Sequence, residues 1–191
     1  MLFLRCLAIL VITSCATVKE VEQTTLQITE VVPDRRTHLT TQNLVHLSKI
    51  YDTNKFTYQK IIHVKSGVPA THYPVITLNT RFAETPHKIL SAFMHEQFHW
   101  WLIRNSKKAR SAIAKLKVLY PQLKDHLHLM VCYLEYRAMV QFVGQQTAFS
   151  IIQDLIYKDK TFPWYHNQVL QNGEGIRKVI LEAGLMPAGL N

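Results

Sequence analysis

The sequence predicts an α+β fold, with a small sheet near the N-terminus and a mostly helical second half. Segments rich in β-branched and aromatic residues come first, and long helical patterns come after them. This order, without a regular alternation of strands and helices, favours the α+β class over the α/β class. A chain of 191 residues with 48% hydrophobic composition also has enough apolar side chains for one domain with a buried core.

Three segments have the pattern of β-strands. Residues 24–32 alternate apolar and polar side chains, which is typical of a strand with one buried face. Residues 56–64 and 73–79 are rich in β-branched and aromatic side chains, and a turn with a glycine and a proline separates them. A short helix is expected at residues 40–51, between the first two strands.

The segment from residue 86 to residue 104 is predicted to be a helix. Thr85 supplies a hydroxyl group at the N-cap, and Pro86 suits the first helical position because its missing N–H has no partner to lose there. Apolar residues then recur at helical spacing as far as Leu102. Arg104 suits the negative end of the helix.

Four further helical patterns fill the rest of the chain. The longest has Asp125 at its N-cap and Gly144 just after its last residue, which are residue types typical of those positions. The first of the four is basic and ends before Pro121. The predicted ranges are 107–119, 125–144, 147–157 and 174–183.

The first residues have the composition of a secretory signal. Arg5 precedes an apolar run that is too short to span a bilayer. The sequence Ile-Thr-Ser-Cys at residues 12–15 resembles the bacterial lipobox, in which cleavage precedes a cysteine that becomes lipidated. The resemblance implies a signal peptide at residues 1–14 and a lipid anchor on Cys15. Because Ala16 follows the cysteine, it also implies retention at the outer membrane.

An ordinary signal peptide cut after Ala16, with secretion to the periplasm, is the alternative. The mature chain, residues 15–191 for the lipoprotein and from Thr17 onward for the alternative, is expected to form a single domain on the periplasmic side of the bacterial envelope. The formal net charge is +9, and much of it lies in residues 106–117. This surplus suits an anionic membrane surface or an acidic envelope polymer, but a solvated amphipathic helix face is the simpler explanation. Export argues against a nucleic-acid partner.

The sequence AFMHEQFHWW, at residues 92–101, carries the clearest chemical signal. His95 and His99 are four residues apart, so both imidazoles project from one side of the predicted helix. Glu96 is turned about 100° from His95, close enough to reach a water at a metal without binding the metal. This is the H-E-x-x-H pattern, in which two neutral imidazoles hold Zn²⁺ and the carboxylate takes a proton from that water. Two satisfied histidines in a core helix are the alternative.

Catalytic zinc needs a third protein ligand. The metzincin pattern is excluded because Leu102 and Asn105 stand where it has a glycine and a histidine. Glu135 is the best downstream candidate, because it lies among apolar residues in a predicted helix, where an unpaired carboxylate is costly. A salt bridge to Arg137 is the alternative for this carboxylate. His128, two turns earlier on the same face, is the reserve ligand.

The motif at residues 95–99, with a glutamate on a downstream helix, resembles the gluzincin metallopeptidases over roughly residues 73–140. The resemblance implies a zincin-like fold, in which a small sheet precedes the active-site helix. It also implies zinc held by the two motif histidines and Glu135, with Glu96 as the general base. The chain departs from the usual gluzincin pattern at Met139, where that pattern has an aspartate.

A hydrolytic site of this type also needs a donor for the developing oxyanion. His166 is the first candidate and Tyr165 the second, in a polar and aromatic segment, 162–170, that lies outside the helical pattern. The sequence thus predicts a zinc-dependent hydrolase of peptide or amide bonds, acting on a peptide or cell-wall peptide. A non-catalytic zinc-binding envelope lipoprotein that serves as a binding module is the alternative.

Overall fold

The computed structural model describes residues 26–190 of the chain. Within that range, a three-stranded sheet near the N-terminus is followed by a long helical part, so the predicted α+β class is confirmed. The predicted signal peptide at residues 1–14 and the lipidation site Cys15 lie outside the described residues. None of the helices in the described range is long and apolar enough to cross a membrane.

The sheet is parallel throughout, with the strands in sequence order. Four of its side chains, Ile62, Val64, Ile76 and Leu78, are buried and aliphatic, which is the composition expected of strands that pack against a core. The helix predicted between the first two strands is present and begins five residues earlier than predicted, and it joins these parallel strands as a β–α–β unit. The bounds are β1 Gln27–Glu30, α1 Arg35–Ile50, β2 Ile61–Lys65 and β3 Ile76–Asn79, with a short 3-10 helix at Thr53–Phe56 between α1 and β2.

The remaining helices pack on one another and on the sheet. Four of them begin and end within two residues of the predicted positions, because their caps and apolar periodicity agree. Thr85 is the N-cap of its helix as predicted, but its hydroxyl group donates to the carbonyl of Phe82 rather than accepting from the helix. The bounds are α2 Pro86–Arg104, α3 Ser106–Leu119, α4 His126–Val143, α5 Gln145–Tyr157 and α6 Pro163–Glu182.

Helix α6 begins about ten residues earlier than predicted. The segment 162–170, predicted to be non-helical, forms its first half, with Pro163 in the first turn. A break in helical backbone geometry at Asn172 divides the two halves. The nearby glycines weaken the helical pattern, but burial of His166 and Val169 against the core favours a helix in spite of them.

Helix α2 is buried on nearly every side, between α1, the sheet and α4. Burial on so many sides is unusual for a helix with this many polar residues, because four of them, close together in the sequence, become part of the core. They are His95, Glu96, Gln97 and His99. Buried polar groups are costly unless they have hydrogen-bond partners, so the contacts of these four side chains are informative about function.

Candidate metal centre

The side of α2 that faces α4 carries a column of polar residues. Ser91, His95 and His99 are spaced by four, so they lie along one face of the helix. On α4, His128 and Glu135 are separated by two turns of helix and also share a face. Ser91 donates a hydrogen bond to Glu135, while the rings of His99 and His128 lie 4.8 Å apart. The two helices therefore run in opposite directions here, and their polar columns meet.

Three histidines converge at one end of this contact. One ring nitrogen from each of His95, His99 and His128 lies within 4.8 Å of the others. The ring centroids are 5.1 Å apart for His95 and His99, and 5.3 Å apart for His95 and His128. Imidazole nitrogens at these separations can bind one ion after small rotations of the side chains. We call these three residues the histidine cluster.

Carboxylates orient two members of the histidine cluster. Nδ1 of His95 lies 2.8 Å from Oε2 of Glu135, and Nδ1 of His128 lies 3.0 Å from Oδ2 of Asp125. Each contact fixes the ring and leaves Nε2 free to bind a metal, as is usual for metal-binding histidines. Asp125 is also the N-cap of α4 and accepts from the backbone N–H of His128, so the start of the helix itself positions this imidazole.

The polar atoms that lack partners indicate a ligand. Among the described residues, Nε2 of His95, Nδ1 of His99 and Oε2 of Glu96 are buried without a hydrogen bond. Gln97 provides the contrast, because its side chain accepts from two backbone N–H groups and donates to the carbonyl of Gln59. Leaving several buried polar atoms unpaired is costly. A cation held by imidazole nitrogens would remove that cost, and zinc is among the metals that such donors bind.

The pKa values reflect the same arrangement. Burial lowers the pKa of His95, but the neighbouring side chains of Cys132 and Glu135 outweigh burial and raise that pKa to about 10. Burial raises the pKa of Glu135, but His166 and His95 outweigh it and hold that pKa well below its usual range. Burial, together with the neighbouring imidazoles, lowers the pKa of His99 to about 2. Burial also lowers the pKa of His128, so His99 and His128 are neutral, as metal binding requires.

Glu135 is brought to the motif, as the sequence predicts, but it lies behind His95. Its carboxylate contacts Nδ1 of His95, accepts from Ser91 and lies 3.3 Å from Nε2 of His166. These residues, and not Arg137, are its partners. Direct ligation by Glu135 stays a prediction. Its carboxylate contacts Nδ1 of His95, and Nε2 of the same ring is the unpaired nitrogen. His95, Cys132 and Glu135 also lie within 4.8 Å of one another.

The two candidate oxyanion donors occupy different places. His166 is buried, with Nδ1 donating to the carbonyl of Thr161 at 3.1 Å and Nε2 facing Glu135. Both of its ring nitrogens are therefore engaged behind His95. Cys132 and Glu135 raise the pKa of His166 well above its usual value, although burial opposes them. Tyr165 is half-buried near the histidine cluster, with its ring 5.8 Å from that of His128. Neither role as a donor is tested by this placement.

Sequence reasoning missed His72, which lies between β2 and β3. Its ring stacks on that of His99, with centroids 4.1 Å apart and planes 11° apart. Its Nδ1 lies 3.5 Å from Oε2 of Glu96. Trp100 donates from its indole N–H to the carbonyl of His72 and so ties this segment to α2. A lone histidine in a turn has no periodic signal that points to this position.

Two other residues had signals in the sequence. Ser91 is four residues before His95 and therefore shares its helix face. Asp125 is the N-cap residue of its helix, and His128 is the third residue of the first turn. This spacing brings the side chain of an N-cap residue close to that third residue. Both positions follow from helical geometry. They could have been found once His95 and His128 were chosen as ligands.

A cavity of about 290 Å³ opens beside the motif. One wall is the aromatic ring of Phe162, which stacks on the ring of His95 with centroids 5.0 Å apart. Glu96 and Lys88 line the cavity, and Lys88 forms an ion pair with Asp159. The lining of the cavity also includes Pro69, Ala70, Asn79, Arg81, Phe82, Ala92, Glu135, Leu155, Thr161 and His166.

Comparison of the chain with protein-family models, curated proteins and solved structures gives no match. The gluzincin resemblance therefore still depends on the motif at residues 95–99 and on a downstream glutamate. What the fold adds is the position of the side chains: a third imidazole lies beside the two motif histidines, and Glu96 lines a cavity.

Proposed function

We propose that the chain is a zinc-dependent hydrolase of peptide or other amide bonds. The observation that supports this proposal most is the position of Glu96. Its carboxylate is buried beside the histidine cluster, has an oxygen without a hydrogen-bond partner among the described residues, and lines the cavity. A purely structural glutamate at such a position needs a partner, whereas a general base keeps an oxygen unpaired for the proton that it accepts.

In this proposal His95, His99 and His128 hold the zinc ion, and Glu135 and Asp125 orient two of the three imidazoles. Zinc supplies a Lewis acid that polarises a carbonyl group and lowers the pKa of a water molecule. The ligand set has three protein donors, as catalytic zinc sites do. The third donor is the reserve candidate His128. Glu135 is not needed for this role, because its carboxylate already contacts Nδ1 of His95 and orients that ring.

Glu96 moves the proton. As the water oxygen forms a bond to the carbonyl carbon of the amide, the carboxylate of Glu96 takes a proton from that water. The carbon–nitrogen bond then breaks, and Glu96 returns the proton to the departing nitrogen as an amine. The cavity beside Glu96 provides space for the substrate on this side of the motif. A peptide or cell-wall peptide in the bacterial envelope is the substrate that the N-terminal sequence favours.

The test is the variant Glu96→Gln, with Glu84→Gln as the matched control. Glu84 is exposed just before α2 and takes no part in the site. We expect Glu96→Gln to retain zinc but to hydrolyse a peptide library at least about 100-fold more slowly, since general-base catalysis contributes about 10²–10⁴-fold. The control should match the unaltered chain in both measurements.

Two results would count against the proposal. Full hydrolysis by Glu96→Gln would exclude the proposed base. A zinc-loaded chain that cleaves no peptide or cell-wall peptide, with or without the substitution, would favour the zinc-binding module instead. Inhibition of hydrolysis by a chelator, and its recovery on addition of zinc, is expected only of the hydrolase.

A further inference from the structure

We infer that His72, Glu96 and His99 form a second divalent-cation site next to the histidine cluster. One ligand atom from each of the three residues lies within 4.8 Å of the other two. His99 belongs to both groups, with the ring of His72 stacked on it at 4.1 Å and the ring of His128 at 4.8 Å. Imidazole nitrogen and carboxylate oxygen are both common zinc ligands.

Two atoms of this second site are buried and lack hydrogen-bond partners among residues 26–190. They are Oε2 of Glu96 and Nδ1 of His99. Nδ1 of His72 lies 3.5 Å from that carboxylate oxygen, which is the outer limit of a hydrogen bond. A cation between the imidazoles and the carboxylate would satisfy atoms that the protein leaves unpaired, and it would offset their desolvation.

The second site should bind zinc more weakly than the histidine cluster. His72 is partly exposed, with 34% of its side chain open to solvent, and it lies on the connection between β2 and β3 rather than on a helix. Its ring must turn from the stacked position before it can bind an ion, which costs conformational freedom. His99 is also shared between the two sites, so with both ions bound it must bind one through each ring nitrogen and release its N–H proton, because a neutral imidazole has only one lone pair available for a metal. The histidine cluster should therefore fill first and the second site only in excess zinc.

Occupation of the second site has a consequence for activity. A cation bound to the carboxylate of Glu96 takes the oxygen that the proposed function requires as a base, so excess zinc should inhibit hydrolysis. This consequence rests on the proposed function, whereas the existence of the site does not. The number of bound ions and the rate of hydrolysis can therefore fail separately.

The experiment counts zinc ions in the full chain and in the variant His72→Phe. Phenylalanine keeps an aromatic ring against His99 but has no nitrogen. His46→Phe is the control, because His46 is exposed on α1 and belongs to neither group. Each protein is dialysed against a series of free zinc concentrations, and the bound metal is measured by mass spectrometry. We expect two zinc ions per chain at saturation for the unaltered protein and for the control, but one for His72→Phe.

Either of two results would overturn the second site: one ion per chain in the unaltered protein at saturation, or two ions retained by His72→Phe. Peptide hydrolysis is then measured on the same samples. Two ions without hydrolysis would leave the site standing and reject the proposed function. Loss of inhibition by excess zinc in His72→Phe, with inhibition kept in the control, would support both.

Discussion

The two ends of the histidine cluster use the same parts in different surroundings. At the inner end His95 contacts Glu135, with side chains only 6% and 2% exposed. At the outer end His128 contacts Asp125, with side chains 23% and 47% exposed. In both pairs the carboxylate contacts Nδ1 and leaves Nε2 free. The chemistry of orientation is therefore the same, and only the access of water differs.

The difference in exposure predicts that the two pairs contribute differently to the free energy of unfolding and to zinc binding. Glu135 is held by Ser91 and His166 as well as by His95, so removing its charge leaves buried imidazoles without a counterion. Water can replace much of what Asp125 provides, because exposed ion pairs contribute little to the free energy of unfolding. The inner pair should matter to folding and to zinc, and the outer pair mainly to zinc.

The largest expected effect separates the two residues that can complete the site. If His128 is the third ligand, His128→Ala should weaken zinc binding by more than about 100-fold, whereas Glu135→Gln should weaken it by about 10–100-fold, as expected for a residue that orients a ligand. For the free energy of unfolding of the metal-free chain in urea, the order of the two substitutions should reverse. Glu135→Gln breaks a buried charge pair, which costs about 3–5 kcal/mol, and should be the more destabilising substitution.

Zinc affinity is measured by competition with a chelating dye, and the free energy of unfolding by urea titration. Arg137→Gln, on the same helix as Glu135 but outside its hydrogen bonds, serves as a control for the affinity measurement. The ligand role that the sequence predicts for Glu135 would be upheld if Glu135→Gln weakened zinc binding more than His128→Ala. The proposed orienting role would then be given up.

Much of this site follows from the sequence, and the reasons are local. Helical spacing gives the shared face of His95 and His99, and the polarity of a buried helix indicates Glu135. Both inferences use periodicity along one helix. The choice between His128 and Glu135 requires the direction in which α4 crosses α2, and periodicity carries no such information.

The rest of the site depends on contacts between distant segments. His72 reaches His99 only because β3 and the connection before it lie beside α2. The sequence predicts a non-helical segment at His166, since the glycines after it weaken the helical pattern, whereas burial favours a helix there. The sequence alone therefore predicts the three strands, the bounds of four helices and the motif. The packing of turns and the start of α6 have to come from the structure.

The second effect in size is a pH dependence that arises at the inner end. The pKa of His95 is raised to about 10, so below that pH the metal-free chain carries a proton that zinc must displace from Nε2. The pKa values of His99 and His128 are lowered, so these residues have no proton to release near pH 8. We expect zinc binding at pH 8 to release about one proton from His95, and zinc affinity to rise about tenfold per pH unit.

Calorimetry in two buffers with different enthalpies of ionisation gives the number of protons released. Glu135→Gln should release fewer protons, because the substitution removes one of the interactions that raise the pKa of His95. Zinc affinity that stays constant from pH 7 to pH 9 would contradict the assignment of a protonated His95 to the metal-free chain.

The smallest expected effect concerns Asp125, at the outer end. Asparagine caps a helix about as well as aspartate, so Asp125→Asn should keep the start of α4 and remove only the charge behind His128. We expect zinc affinity to fall by no more than about tenfold, the lower end of the range for orienting residues, because the carboxylate is already half exposed to water. The free energy of unfolding should stay within about 0.5 kcal/mol of the original value. Asp125→Ala, which also removes the cap, should lose about 1 kcal/mol. If Asp125→Asn weakened zinc binding as much as Glu135→Gln, burial would not be what distinguishes the two ends of the cluster.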